Sequence, residues 1–70
     1  MIYEITINGQ EQEVDIDTYS LLREEPEFKG IDESGAEFDL NDEQMTQVME
    51  WFEQNKDRVY QAAYNSVSKD

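Results

Sequence analysis

Residues 41–67 read NDEQMTQVMEWFEQNKDRVYQAAYNSV, and the rest of the chain has to fold around them. Apolar residues fall at Met45, Val48, Met49, Phe52, Val59, Tyr60, Ala63 and Val67, the i, i+3, i+4, i+7 recurrence of one helix face. The start is well marked. Asn41 is a good N-cap, Gln44 sits at the capping-box position, and Leu40 can staple to Met45. Asp42 and Glu43 put negative charge where the helix dipole favours it. Lys56 projects near the middle of the apolar stripe, so either its stem snorkels over the core or the helix breaks around Asn55-Lys56-Asp57. An unbroken helix of this length is about 37 Å long, against a compact diameter of about 25–30 Å for so short a chain. A bend near Lys56 is therefore expected. Trp51 lies off the stripe and is expected to be covered by Leu21, Leu22 or Phe28. Gln47, Gln54, Gln61 and Asn65 are assigned to the far face. The methionines read as core gap-fillers.

Upstream, Ile2 to Ile7 and Gln10 to Ile16 flank Asn8-Gly9, the strongest short hairpin signal. A two-residue type I′ turn sets Ile7 opposite Gln10, Ile5 opposite Gln12, Tyr3 opposite Val14, and Met1 opposite Ile16. Apolar side chains dominate that face. The other face carries Ile2, Glu4 and Thr6, then Glu11, Glu13, Asp15 and Asp17, with Glu4 directly across from Glu13. Edge charges that discourage aggregation account for some acids on such a face. They do not account for the absence of any base before Arg23.

Between the hairpin and the helix the pattern is weaker. Asp17 can cap a short helical turn through Tyr19, Leu21 and Leu22 that ends before Pro26, and a strand fits there nearly as well. Ala36, Phe38 and Leu40 alternate with Glu37 and Asp39, which predicts a further strand after a Ser34-Gly35 turn, with Ile31 on the incoming arm. The expected fold is α+β: a small antiparallel sheet, made of the N-terminal hairpin and one or two further strands, packed on a long C-terminal helix that bends. Residues 1–70 read as a single acidic domain.

Composition narrows function mostly by exclusion. Absence of cysteine removes disulfides and thiolate metal sites, and absence of histidine removes the commonest catalytic base. No phosphate-binding glycine-rich loop occurs. Between Glu24 and Glu43 lie nine carboxylates opposed only by Lys29, yet neither Gly30 nor Gly35 has the ligand spacing of a calcium-binding EF-hand loop. No cofactor, no metal site and no enzymatic activity are expected. Apolar runs are too short to span a membrane, and Met1 leads directly into a strand without a signal peptide, so a cytoplasmic protein is expected. High net charge with low hydropathy is a signature of disorder, but eight aromatic residues and two clean periodicities argue for a folded chain.

The charge itself is the functional hint. Eighteen acidic and five basic residues give a net charge of −13, whereas a small domain needs only about 2–8 charges for solubility. Residues 1–43 carry −12 of it and residues 44–70 only −1. Nucleic acid and anionic membranes would repel such a surface, and a basic partner complements it.

Duplex DNA presents one negative charge per ~1.7 Å of axis, and rows of Asp and Glu can occupy the Lys/Arg sites that hold phosphates. The row Glu11-Glu13-Asp15-Asp17 and the acids from Glu24 to Glu43 resemble, in size, composition and charge layout, the small acidic DNA-mimic inhibitors of bacteriophages, of the anti-restriction and anti-CRISPR kind. No motif carries the resemblance, and those inhibitors share no common fold. It implies a non-enzymatic inhibitor in the host cytoplasm that blocks a basic nucleic-acid-binding protein or complex, binds no nucleic acid itself, and can be a monomer or a homodimer. The partner-binding candidates are Glu4, Glu11, Glu13, Asp15, Asp17, Glu24, Glu25, Glu27, Asp32, Glu33, Glu37, Asp39 and Trp51. The competing expectation is a small acidic regulatory adaptor that docks through Trp51 and the Glu50-Glu53-Asp57 helix flank, with charge serving steering and solubility.

Overall fold

A computed structural model describes residues 1–67. In chain order it contains β1 (Ile2–Ile7), β2 (Gln10–Ile16), α1 (Thr18–Leu22), β3 (Phe28–Ile31), β4 (Glu37–Phe38) and α2 (Asp42–Val67). The strands form one antiparallel sheet in the order β1-β2-β3-β4, and the helices cover one of its faces. The expected α+β architecture is present, with two strands beyond the hairpin.

The Asn-Gly turn sets the register of the first hairpin. Asn8 and Gly9 adopt φ of 53° and 77°, the left-handed pair that a type I′ turn requires. Ile7 pairs with Gln10, Ile5 with Gln12 and Tyr3 with Val14, as the sequence predicts. The turn is also clamped to α2. Asn8 donates its backbone N–H to Gln47 Oε1, and Gln47 Nε2 donates to Asn8 Oδ1, both at 2.9 Å. Gln47 therefore faces the sheet and not the far side to which its spacing assigned it.

Residues 18–22 form a helix and not a strand, because Asp17 caps them. Its Oδ2 accepts from Ser20 N at 3.1 Å and from Ser20 Oγ at 2.5 Å, which also satisfies the buried serine hydroxyl. The helix closes with Glu24 in the left-handed region at φ 63°, where its N–H donates to Leu21 O and that of Glu25 to Ser20 O. Glycine is the usual residue at such a cap. Further on, Phe38 lies across Gly30, its cross-strand partner; a Cβ on Gly30 would sit 2.3 Å from the ring. Only glycine lets the ring lie flat over the strand there.

Ile5, Ile7, Val14 and Ile16 from the hairpin pack with Leu21, Phe28, Val48, Phe52, Val59 and Ala63 to make the core. Asn41 and Gln44 exchange the expected capping-box bonds, at 2.8 and 3.0 Å. The buried stripe of α2 is rotated from the predicted one. Trp51 and Asn55 join it as half-buried residues, while Met49 and Val67 are 49% and 44% exposed. This rotation explains why the helix runs unbroken through Asn55-Lys56-Asp57, where a bend was expected. Lys56 is exposed at the stripe's edge, and Asn55 Nδ2 donates to Trp51 O at 2.8 Å, one turn back. The length argument for a bend assumed a near-spherical molecule, but the dimensions are 36 × 26 × 18 Å and α2 supplies the long one. Trp51 is covered as expected, but the ring against it is that of Tyr3, with centroids 5.2 Å apart, and not Leu21, Leu22 or Phe28.

Candidate functional site

Because α2 packs on one face of the sheet, the other face meets solvent. Strand alternation puts Ile5, Ile7, Val14, Ile16 and Phe28 toward the helix and leaves their neighbours outward. The registers then define cross-strand rows. One row runs Glu4, Glu13, Ile31, Glu37 across all four strands, and a second runs Ile2, Asp15, Lys29. Glu11 pairs with Thr6 at the hairpin end of the same face. Neighbours across strands are about 4.8 Å apart, and those along a strand about 6.5–7 Å.

These carboxylates differ in what they already hold. Asp15 is half-buried and accepts from the N-terminal ammonium of Met1 at 3.1 Å. Asp39 pairs with Lys29, which holds the carboxyl below and the ammonium above their ordinary values. Those two are the ion pairs among the described residues. Asp17 does not continue the β2 row as predicted, because it lies past the strand end and turns back to cap α1. The Ser20 hydroxyl, then the Ser20 N–H, hold its carboxyl below the ordinary value. Asp32 is likewise engaged locally. Its Oδ1 accepts from Ser34 N, Ser34 Oγ and Ala36 N at 2.9, 2.6 and 3.0 Å, and the Ser34 hydroxyl contributes most to lowering its pKa. The carboxylate is thus committed to the turn between β3 and β4.

Glu4, Glu11 and Glu13 remain exposed on the open face without an ion pair among the described residues, and Glu37, exposed beside them, forms none either but lies near enough to Lys29 to help raise its pKa. Their mutual repulsion is visible at Glu4. The Glu11 carboxyl within hydrogen-bonding reach, the Glu11 charge, partial desolvation and the Glu13 charge, in that order, raise its pKa above the ordinary 4.5. Glu33 is exposed in the loop between β3 and β4, beside the hairpin end. Glu24, Glu25 and Glu27 lie elsewhere: they follow α1 and border the helix side of the molecule. The twelve acidic candidates therefore do not share one surface, and Trp51, the thirteenth, lies apart from them, half-buried against Tyr3. Sequence reading did not place Lys29 on the open face, where it and the Met1 ammonium offset charge, nor Ile31 in the middle of the acidic row that it interrupts.

The pKa directions predict a stability maximum in mild acid. Glu4 binds its proton more tightly folded than unfolded, so stability rises as pH falls from 7 through its raised value. Asp17, Asp32 and Asp39 have lowered values, so their contributions are complete above 3.8 and are lost as pH falls below it. Thermal melts between pH 3 and 7 should show Tm climbing and then falling, and Glu4→Gln should flatten the climb. A Tm that declines steadily from pH 7 downward contradicts this assignment.

Among the described residues, no group of three acidic side chains converges as a metal site would require, and no helix is long and apolar enough to cross a membrane. Comparison with protein-family models, curated proteins and solved structures finds no match for this chain.

Proposed function

We propose that this protein is a non-enzymatic inhibitor that imitates nucleic acid and occupies the basic binding surface of a host defence protein, of the restriction or CRISPR type, in the host cytoplasm. The observation that carries this reading is the open sheet face, where Glu4, Glu11, Glu13 and Glu37 are held on a hydrogen-bonded frame and none forms an ion pair among the described residues. A sheet fixes these charges at near-regular intervals, as a phosphate backbone does, and Lys or Arg side chains can meet them with charge-assisted hydrogen bonds. Carboxylates that repel one another in the free protein gain most when a cationic surface arrives, which favours the complex over either partner alone.

The adaptor reading through Trp51 has less support, because that ring is half-buried under Tyr3 and already spends its face within the fold.

Competition tests the proposal. Bound to its basic target, the protein should be displaced by excess duplex DNA or guide RNA, and affinity should fall at least about tenfold between 50 and 200 mM salt. A complex that survives nucleic-acid excess and ignores salt is not held by mimicry.

A further inference from the structure

On the helix side, two open depressions of about 680 and 380 Å³ share Pro26, Phe28 and Met49 and so form one groove. It runs along α2 from Met45 to Tyr60, about 22 Å at 1.5 Å per residue, between the helix and the segment entering β3. Its apolar lining is Pro26, Phe28, Met45, Met49, Phe52 and Tyr60. Met49 is 49% exposed there, although its spacing places it beside the buried stripe. Methionine at an open groove can repack against varied apolar partners. Glu24, Glu25, Glu27 and Glu53 border the groove, against Lys29, which is already paired with Asp39, and Lys56. Four carboxylates around an apolar floor complement a cationic amphipathic segment, and the groove's length suits about four turns of helix.

The geometry points to this groove as a docking site for a basic amphipathic helix of a partner protein, with an apolar ridge seated on Met45, Met49 and Phe28 and Lys or Arg flanks meeting Glu24, Glu25, Glu27 and Glu53. The site lies on the opposite side of the sheet from the open carboxylate face and does not depend on the reading of that face.

A synthetic helix-forming Leu/Lys peptide of about 15 residues serves as the probe, with a scrambled peptide of the same composition and no apolar face as control. In 150 mM salt, methyl NMR should show Met45 and Met49 shifting on titration while Met1 stays still. Met49→Glu, at a half-exposed position, should weaken binding about tenfold or more. Should that variant fail to fold, the triple change Glu24, Glu25 and Glu27→Gln leaves the floor intact and should weaken binding similarly. Replacing Glu4, Glu11, Glu13 and Glu37 by Gln should leave the peptide's affinity within about threefold, since exposed charges across the sheet are largely screened. Equal binding by the scrambled peptide, or shifts that bypass Met45 and Met49, overturns the proposal without touching the DNA-competition result. Concentration-dependent shifts of those methyls in the free protein assign the groove to a second copy instead and overturn it equally.

Discussion

Changing Glu4, Glu11, Glu13 and Glu37 together to Gln should weaken binding to the basic target on the order of 100-fold or more, while raising the melting temperature of the free protein. The two effects have opposite signs for one physical reason. Glu4 faces Glu13 across β1 and β2 and feels Glu11 on the diagonal, so neutral amides of the same shape relieve repulsion in the free fold. The same exchange removes the charges a cationic surface would meet. The salt dependence should flatten as well, by about one unit of slope for each carboxylate that was engaged. Asp15 and Asp17 are left out of the variant deliberately. Asp15 holds the N-terminal ammonium and Asp17 caps α1, so replacing them would damage the fold and confuse the result. Unchanged affinity with a higher Tm would mean that the open face is a burden without a binding role, and the mimic reading would fall.

Phe52→Ala should be the most damaging single substitution, costing about 3–5 kcal/mol. The ring is 5% exposed and lies 5.5 Å from Phe28, near edge-on, and 6.1 Å from Tyr60. Its removal takes out the centre of the helix–sheet contact and two aromatic pairs together. A 70-residue domain has about 3.5–10 kcal/mol of total stability, and a net charge of −13 pulls this one toward the lower end. The variant should therefore melt at least about 15 °C lower or be partly unfolded at 25 °C by circular dichroism. Met49→Ala, one turn away on the groove side, should change Tm far less. Similar losses for the two would mean that the core is not centred on Phe52.

The hairpin and the helix start were legible because local chemistry specifies them completely. Asn8-Gly9 admits one tight turn, and Asn41 with Gln44 closes one capping box. The rotation of α2 was not legible. Periodicity fixes a stripe's spacing, but which edge of it turns inward depends on what the sheet offers, here Tyr3 for Trp51 and the Asn8 amide for Gln47. The second hairpin was legible in outline, from the Ser34-Gly35 turn and the alternation around Phe38, but not its extent: a four-residue and a two-residue strand hold few alternations, and Phe38 over Gly30 is a contact between residues that no local pattern links. The acidic face was visible as a list of residues but not as a surface. Asp17 was legible as a cap, but only the structure shows Asp32 engaged in a turn and Glu4, Glu11, Glu13 and Glu37 left on the face without ion pairs among the described residues.

A single covering layer over the sheet has an evolutionary consequence. Along β1 and β2, residues that support the helix alternate with outward ones, most of them exposed, Asp15 with its hold on the N-terminus being the exception. Selection can rewrite Thr6, Glu11, Glu13, Ile31 and Glu37 one at a time without disturbing Ile5, Val14 or Ile16 beneath them. If the protein acts as proposed on a partner whose surface drifts, that arrangement would let the outer positions follow while the scaffold stays as it was.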